Sequence, residues 1–368
     1  MKIAYDARFF PVNDKFDGVG RYSYELAQTM AMHSEHDFTW LISDPRQVTK
    51  LPTKKHLLIN RPDDMAREFR LPRQLNSHEF DIVYSPFYLM GAGRGKRNYK
   101  LVLTIHDLTY FHYRTPPQWL PAYQRAVWWL FNSAKWPTRW LLHSADAIAT
   151  VSATAGQELA AWHMTSRPIT PVLNAVSAHE GEKSDSVTEH YSSHDIIYMG
   201  AFTPYKNVEL LIDAMAALPD CTLHLLSRVP KKRRSELEQR ARAKGVRSHI
   251  IFHDGVSDDE YHELLESARC LVTAAKTEGF GLPILEAQSR GVPVACSDTP
   301  IFHEVAGDAA LYFDPASPTA CAEAIRALAD ATTSQGMITK GLKNATRFHW
   351  SHSADTALKL CADLTKIH

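Results

Sequence analysis

CLVTAAKTEGFGLPILEAQSR, residues 270–290, reads as a buried strand passing through a glycine-rich turn into a helix. Its first six residues, Cys270, Leu271, Val272, Thr273, Ala274 and Ala275, are apolar and β-branched enough for an inner parallel strand. Gly279 and Gly281 let the backbone turn sharply, Pro283 suits the first helical position, and Ile284, Leu285 and Ala287 continue as good helix formers. A helix N-terminus presents free N–H groups and a partial positive charge, which suit a phosphate or a polar sugar. Two carboxylates flank the turn: Glu278, expected at the carboxyl end of the strand, and Glu286, expected in the first helical turn. In open α/β sheets ligands bind outside the carboxyl ends of the strands, so both can face one ligand. The plain alternative is that Glu286 complements the helix dipole and Glu278 is a solvated loop residue.

The order Glu278, Gly279, Phe280, Gly281, Leu282, Pro283 and then Glu286 resembles the signature of retaining GT-B glycosyltransferases of family 4 (group 1), mannosyltransferase-like members included. That resemblance implies an α/β fold of two Rossmann-like domains facing across a cleft, with a C-terminal helix crossing back to the first domain. It also implies a nucleotide-diphosphate sugar as donor substrate, with no other cofactor.

A chain of 368 residues fits two domains of roughly 150 to 200 residues better than one core. Hydrophobic content of 45% and charged content of 22% exclude wholesale disorder, and no run of 18 apolar residues suggests a spanning helix. Net charge is zero, but residues 1–180 carry 21 Lys plus Arg against 16 Asp plus Glu, and the remainder 20 against 25. That tilts the first half toward anionic acceptors or membrane surfaces; no nucleic-acid partner is indicated. The five cysteines all lie in the second half, are odd in number and show no paired spacing, so they are expected to be reduced core residues. The chain opens on a strand, MKIAYDARFF, without a secretory pattern, and a cytoplasmic protein is expected, peripheral contact with the inner membrane face remaining open.

In the first half, strands are expected at residues 2–10, 38–42, 81–85, 100–105 and 145–151, with surface loops and short helices over 44–76. Gly18, Val19 and Gly20 follow the first strand and open a helix with Tyr22, Leu26 and Met30 on one face. A glycine pair there serves any tight turn, and no G-x-G-x-x-G with a ribose-binding acid accompanies it, against a nicotinamide enzyme. By resemblance this loop approaches the donor diphosphate and sugar. His106 and Asp107 fall at a strand end. A histidine there is often structural, but TIHDLTYFHY is similar to the mannosyltransferase-like stretch whose histidine lines the donor-sugar pocket, which implies that role for His106. Residues 119–142 interleave Trp128, Trp129, Phe131, Trp136 and Trp140 with Arg125, Lys135 and Arg139. Such residues at helical spacing commonly pack on a neighbouring sheet, while tryptophan with arginine also suits a lipid headgroup interface. Ser152 is expected to cap the next helix, and VSATAGQEL partly matches the family's V-S-x-x-S element.

VLNAV resembles the family's domain-closing N-G-V, with Ala175 where glycine is usual. The expected layout is a first domain over 1–175, a linker over 176–194, a second domain over 195–345 and a returning helix over 346–368. Lys206 and Asn207 precede an apolar-faced helix, where a cation opposes the helix dipole and asks for an anionic partner, here read as a diphosphate. Family members often carry an arginine where this chain has Ala201 or Tyr205, so neutralisation falls on Lys206, with Arg21 or Arg228 as helpers. Lys231 to Arg234 suit a solvated face. GVSDDEYHELLESA resembles a family element in which Gly255 and Val256 meet the nucleotide base. By the same resemblance Glu278 holds sugar hydroxyls, Glu286 the ribose hydroxyls, and the amides near Gly279, Phe280, Gly281 and Leu282 the diphosphate.

Taken together, the resemblance implies a retaining, metal-independent hexosyltransferase with Glu278, His106 and Lys206 as catalytic residues. It implies mannose transferred from GDP-mannose to a hydroxyl of a glycolipid or cell-envelope glycan. The sequence holds no Asp-x-Asp and no metal-ligand spacing of His and Cys. UDP-glucose or UDP-N-acetylglucosamine donors, a nucleotide-sugar epimerase, a phosphorylase, and a non-catalytic nucleotide-binding partner remain as alternatives.

Overall fold

A computed structural model of the chain describes residues 1–13, 16–33, 35–90, 96–114, 116, 121–176 and 190–366. The chain forms two compact units, Met1–Ala175 with His349–His368, and Val176–Phe348. Most of the expected linker, residues 177–189, lies outside the described residues, as does Trp119.

The first unit is built on seven parallel strands: β1 (Lys2–Asp6), β2 (Asp37–Ile42), β3 (His56–Leu58), β4 (Ile82–Ser85), β5 (Lys100–Ile105), β6 (Ala147–Thr150) and β7 (Ile169–Pro171). Their order is β3-β2-β1-β4-β5-β6-β7. The inner strands are buried almost throughout, as expected of a parallel sheet covered on both faces. Tyr5 stacks on Tyr84 with ring centroids 5.6 Å apart, and Trp40 lies 5.7 Å away. The helix Gly18–Met32 buries Tyr22, Leu26 and Met30, the face its spacing predicts. The C-terminal helix Trp350–Lys366 packs along it and is tied to the sheet side by Ser353 Oγ, which donates to Leu173 O at 2.6 Å.

The second unit has six parallel strands, β8 (Asp195–Tyr198), β9 (Thr222–Leu225), β10 (Ile250–Phe252), β11 (Cys270–Thr273), β12 (Val294–Ser297) and β13 (Leu311–Phe313), in the order β10-β9-β8-β11-β12-β13. In each unit the chain starts at the sheet centre, works outward, and returns beside its first strand. The resulting switch points lie between β1 and β4 and between β8 and β11, and their carboxyl ends are where such sheets take ligands.

Two elements differ from the sequence reading with consequences for the site. The strand at 270–275 ends at Thr273, and the following helix is Leu282–Ser289 with Gly281 as its N-cap at φ 101°. Pro283 is therefore its second residue, and Glu286, its fifth, lies beyond the first turn where it was expected. Residues 119–142 fold as helices Ala122–Ser133 and Trp136–His143. Of the two fates open to that stretch, burial fails for Trp129 and Trp136, which are 48% and 71% exposed.

All five cysteines are free and buried, and burial pushes the Cys270 and Cys361 thiols up to about 12, which makes them inert core residues. A histidine pair spans one sheet edge: His224 Nδ1 and His253 Nε2 are 3.0 Å apart, His224 Nε2 meets Asp195 Oδ1 at 3.1 Å, and Glu260 lies 4.0 Å from His253. Burial, then the neighbouring His224, holds His253 below its ordinary value of 6.5. Its folded state therefore resists a proton that the unfolded chain accepts. This contribution is complete above pH 6.5 and is lost as pH falls below it, at up to about 1.4 kcal/mol per pH unit for one proton. His253→Asn is expected to flatten the acid limb of stability against pH, measured by urea unfolding between pH 5 and pH 8; an unchanged slope overturns the assignment.

Candidate active site

The second unit's switch point brings together Lys206 and Glu278, each of which was expected to meet the ligand separately. β8 leads through a single 3₁₀ turn, Pro204–Lys206, to Asn207, whose left-handed backbone (φ 56°) starts the helix Val208–Ala214. That turn sets Lys206 Nζ against Glu278 Oε2, delivered from beyond β11, and both side chains are largely buried. The anion that Lys206 calls for is thus supplied by Glu278 within the chain. Lys276 N donates to Tyr205 O at 2.8 Å, so backbone pairing as well as charge joins the two loops. Asn207 places its side-chain amide on Pro315 O at 2.9 Å and anchors the loop from behind.

Gly281 occupies a positive-φ position where a Cβ would stand 3.0 Å from the Phe302 ring, so glycine is required on both counts. Phe280 is buried, edge-on to Phe348, and only its backbone faces the turn. Leu282 and the partly exposed Gly279 complete that turn. Glu286 is buried and accepts a hydrogen bond from Tyr261 at 3.0 Å. One and two strands away, after β9 and β10, the Arg228 stem lies against Gly255, where a Cβ would come within 2.8 Å of it. Val256 follows, and Ser257 caps the helix Asp258–Ser267 through Glu260 N. The structure therefore gathers Lys206 with Glu278, and sets Gly255 beside Arg228.

In the first unit, a cavity of about 440 Å³ opens at the carboxyl ends of the strands. Its lining includes Val19, His106, Asp107, Asp17, Phe9 and Phe87. His106 Nε2 sits 2.7 Å from Pro86 O, and its ring packs edge-on to Tyr22 at 5.1 Å. Next to a carbonyl, Nε2 carries the proton, and burial lowers the ring's pKa from 6.5. The neutral ring then presents Nδ1 as an acceptor. Gly18 and Gly20 lie in the first turn of Gly18–Met32; Asp17 caps that helix and takes the amide of Gly20 at 2.6 Å. Of the expected donor loop, Gly20 is committed to this cap.

Sequence reasoning passed over Asp17 and Phe9. Asp17 was legible as an N-cap, since an aspartate directly before a helix commonly caps it. Phe9 had no signal, because its direction depends on the 3₁₀ turn that ends β1. Among the described residues, no group of three His, Cys, Asp or Glu side chains could hold a metal ion, and no helix is long and apolar enough to cross a membrane.

Two family models match the chain in succession: glycosyltransferase family 4 over residues 16–180 and glycosyl transferases group 1 over residues 182–344. The chain is similar to O-antigen chain mannosyltransferase B of Escherichia coli, with 28% identity covering 96% of this chain and 97% of that protein. It is also similar to O-antigen chain mannosyltransferase RfbU of Salmonella typhimurium, with 27% identity covering 58% and 56%. Among solved structures, sucrose-phosphate synthase from Thermosynechococcus elongatus superposes with a TM-score of 0.77 at 18% identity, each chain covered fully. The lipopolysaccharide glycosyltransferase WaaG gives 0.67 at 17%, covering 98% of this chain and 99% of that one. These likenesses carry the GT-B fold, and with one family model on each half the chain belongs to glycosyltransferase family 4, the group 1 glycosyl transferases.

Proposed function

We propose that the chain transfers mannose from GDP-mannose, with retention and without a metal ion, to a hydroxyl of a glycolipid or cell-envelope glycan. The observation that carries the reading is the Lys206–Glu278 pair at the β8–β11 switch point. Lys206 is held where a diphosphate needs a cation. As the donor enters, the ammonium turns from Glu278 to the phosphate oxygens, and Glu278 is released to accept from sugar hydroxyls. The main chemical requirement is to stabilise the departing diphosphate while positive charge develops on the sugar, and a preorganised cation with helix N-terminal amides meets it. Neutral His106, with Nδ1 as acceptor, suits a donor-sugar hydroxyl, and Glu286 the ribose. Mannose is supported by the two relatives named above, both called mannosyltransferases.

Calorimetric titration with GDP, UDP and ADP tests the donor. Micromolar binding of GDP, about −8 kcal/mol, weakened in Lys206→Ala, is the expected result. Preference for UDP moves the donor to UDP-glucose or UDP-N-acetylglucosamine, and binding to none favours the non-catalytic partner reading. Loss of transfer in EDTA overturns metal independence.

A further inference from the structure

The loop after β9 carries a cation that the Lys206–Glu278 pair does not use. Arg228 is exposed, and among the described residues no carboxylate pairs with it. Its place is nevertheless fixed, because the loops after β9 and β10 are bonded on both sides of it. Gly255 N donates to Leu226 O at 2.9 Å, and Val229 N donates to Asp254 Oδ1 at 3.3 Å. Asp254 and Gly255 both take left-handed backbone, with φ 60° and 104°, and the absent side chain of Gly255 leaves room for the arginine. A Cβ there would stand 2.8 Å from Arg228 Cγ and 3.0 Å from its Nε. The stem therefore leans toward β10 and away from the Lys206 turn after β8, on the other side of β9. Its charged end is held beside the exposed backbone of Gly255.

We propose that Arg228 reads the base of the donor nucleotide and selects guanine, its guanidinium donating to O6 and N7. This rests on the donor reading above, in which the diphosphate meets Lys206 and the ribose meets Glu286. Glu286 accepts from Tyr261 at 3.0 Å, and Tyr261 belongs to the helix Asp258–Ser267, whose N-cap Ser257 directly follows Val256. A base on the far side of that ribose from the diphosphate comes to the turn at Gly255, where Arg228 waits. The planar fork of an arginine matches two acceptors side by side. Guanine presents O6 and N7 on one edge. Adenine puts an amino donor in place of O6, which opposes the guanidinium, and uracil has no ring-nitrogen acceptor beside its oxygen. The other role open to Arg228, a second cation for the diphosphate, is disfavoured by the lean of its stem toward β10.

Calorimetric titration of the wild-type protein and of Arg228→Met with GDP, inosine diphosphate, ADP and UDP tests the assignment. Inosine diphosphate keeps O6 and N7 and lacks only the 2-amino group of guanine. GDP and inosine diphosphate are expected to bind about tenfold or more weakly to the variant, while the poorer ligands ADP and UDP change by less than about twofold. The side chain is exposed, so the unfolding midpoint is expected to stay the same. Equal weakening of every nucleotide overturns the proposal, because Arg228 then neutralises the diphosphate. Weakening of GDP without inosine diphosphate also overturns it, because the contact is then not to O6 and N7. If the variant keeps the wild-type preference for GDP, the guanine contact falls and the donor reading stands. A wild-type preference for UDP removes the donor reading, and this assignment with it.

Discussion

Lys206→Ala is expected to lower kcat for sugar transfer by about 10²–10³-fold, the usual cost of removing one preorganised group that meets transition-state charge. Glu278→Gln is expected to cost a similar factor by a different route. The two are distinguished by nucleotide binding. Without Lys206 the diphosphate loses its cation, so GDP binds more weakly as well. Without the Glu278 carboxylate, Lys206 keeps its position through the backbone bond between Lys276 and Tyr205, and GDP binds at least as well, because Glu278 no longer competes for the ammonium. Since the two side chains touch, the double variant is expected to lose far less than the product of the single losses. Single variants within a few-fold of wild type, with the fold intact, would sink the site assignment. If Glu278→Gln instead weakened GDP as much as Lys206→Ala does, Glu278 would act only by holding the lysine in place.

The switch-point turn was legible because its chemistry is local. Glycine at a positive φ, proline at a helix start and two acids at fixed spacing all lie within a dozen residues. The strands that were missed, β3 and β7, have three residues each, sit at the sheet edge and are partly exposed, so neither hydrophobic run nor alternation marks them. The pairing of Lys206 with Glu278 was not legible. Each was assigned to the ligand separately, because sequence shows a cation at a helix start but not which residue a parallel sheet brings to it across 72 positions. Glu286 was placed in the first turn for a related reason: with Gly281 as N-cap the helix starts at Leu282, one residue before Pro283, a difference smaller than the sequence can resolve. The aromatic stretch at 119–142 has the periodicity of a core helix, and only the exposure of Trp129 and Trp136 reveals that these two face out.

A buried ion cluster at the end of β1 is the other feature that sequence concealed, since residues 2–10 read as one strand. The strand stops at Asp6, and the 3₁₀ turn Ala7–Phe9 buries Arg8. Its guanidinium forks onto Asp6 at 2.8 and 3.0 Å, while Nη1 reaches Glu68 and Asn60 O. Ser85 Oγ donates to Asp6 from β4, and Gln47 Nε2 donates to the carbonyls of Arg8 and Phe10, so the turn carrying Phe9 toward the cavity is fixed on all sides. Asp6 and Glu68 are fully buried and both pair with this cation, whose pKa is raised mainly by Asp6 against the cost of its burial. Arg8→Ala removes the guanidinium that the buried Asp6 and Glu68 share, and removing one partner of such a cluster costs about 3–5 kcal/mol. The deficit should grow as pH rises. In the variant a proton can neutralise a stranded carboxylate, so the folded state binds protons more tightly than the unfolded chain does. That help is present at low pH and is lost toward neutrality. Hydrogen exchange of β1 and β4 amides under increasing urea, at pH 5 and pH 8, reads the first unit alone. A loss under about 1 kcal/mol, or one that does not depend on pH, would mean that the cluster is solvated and does not fix the turn.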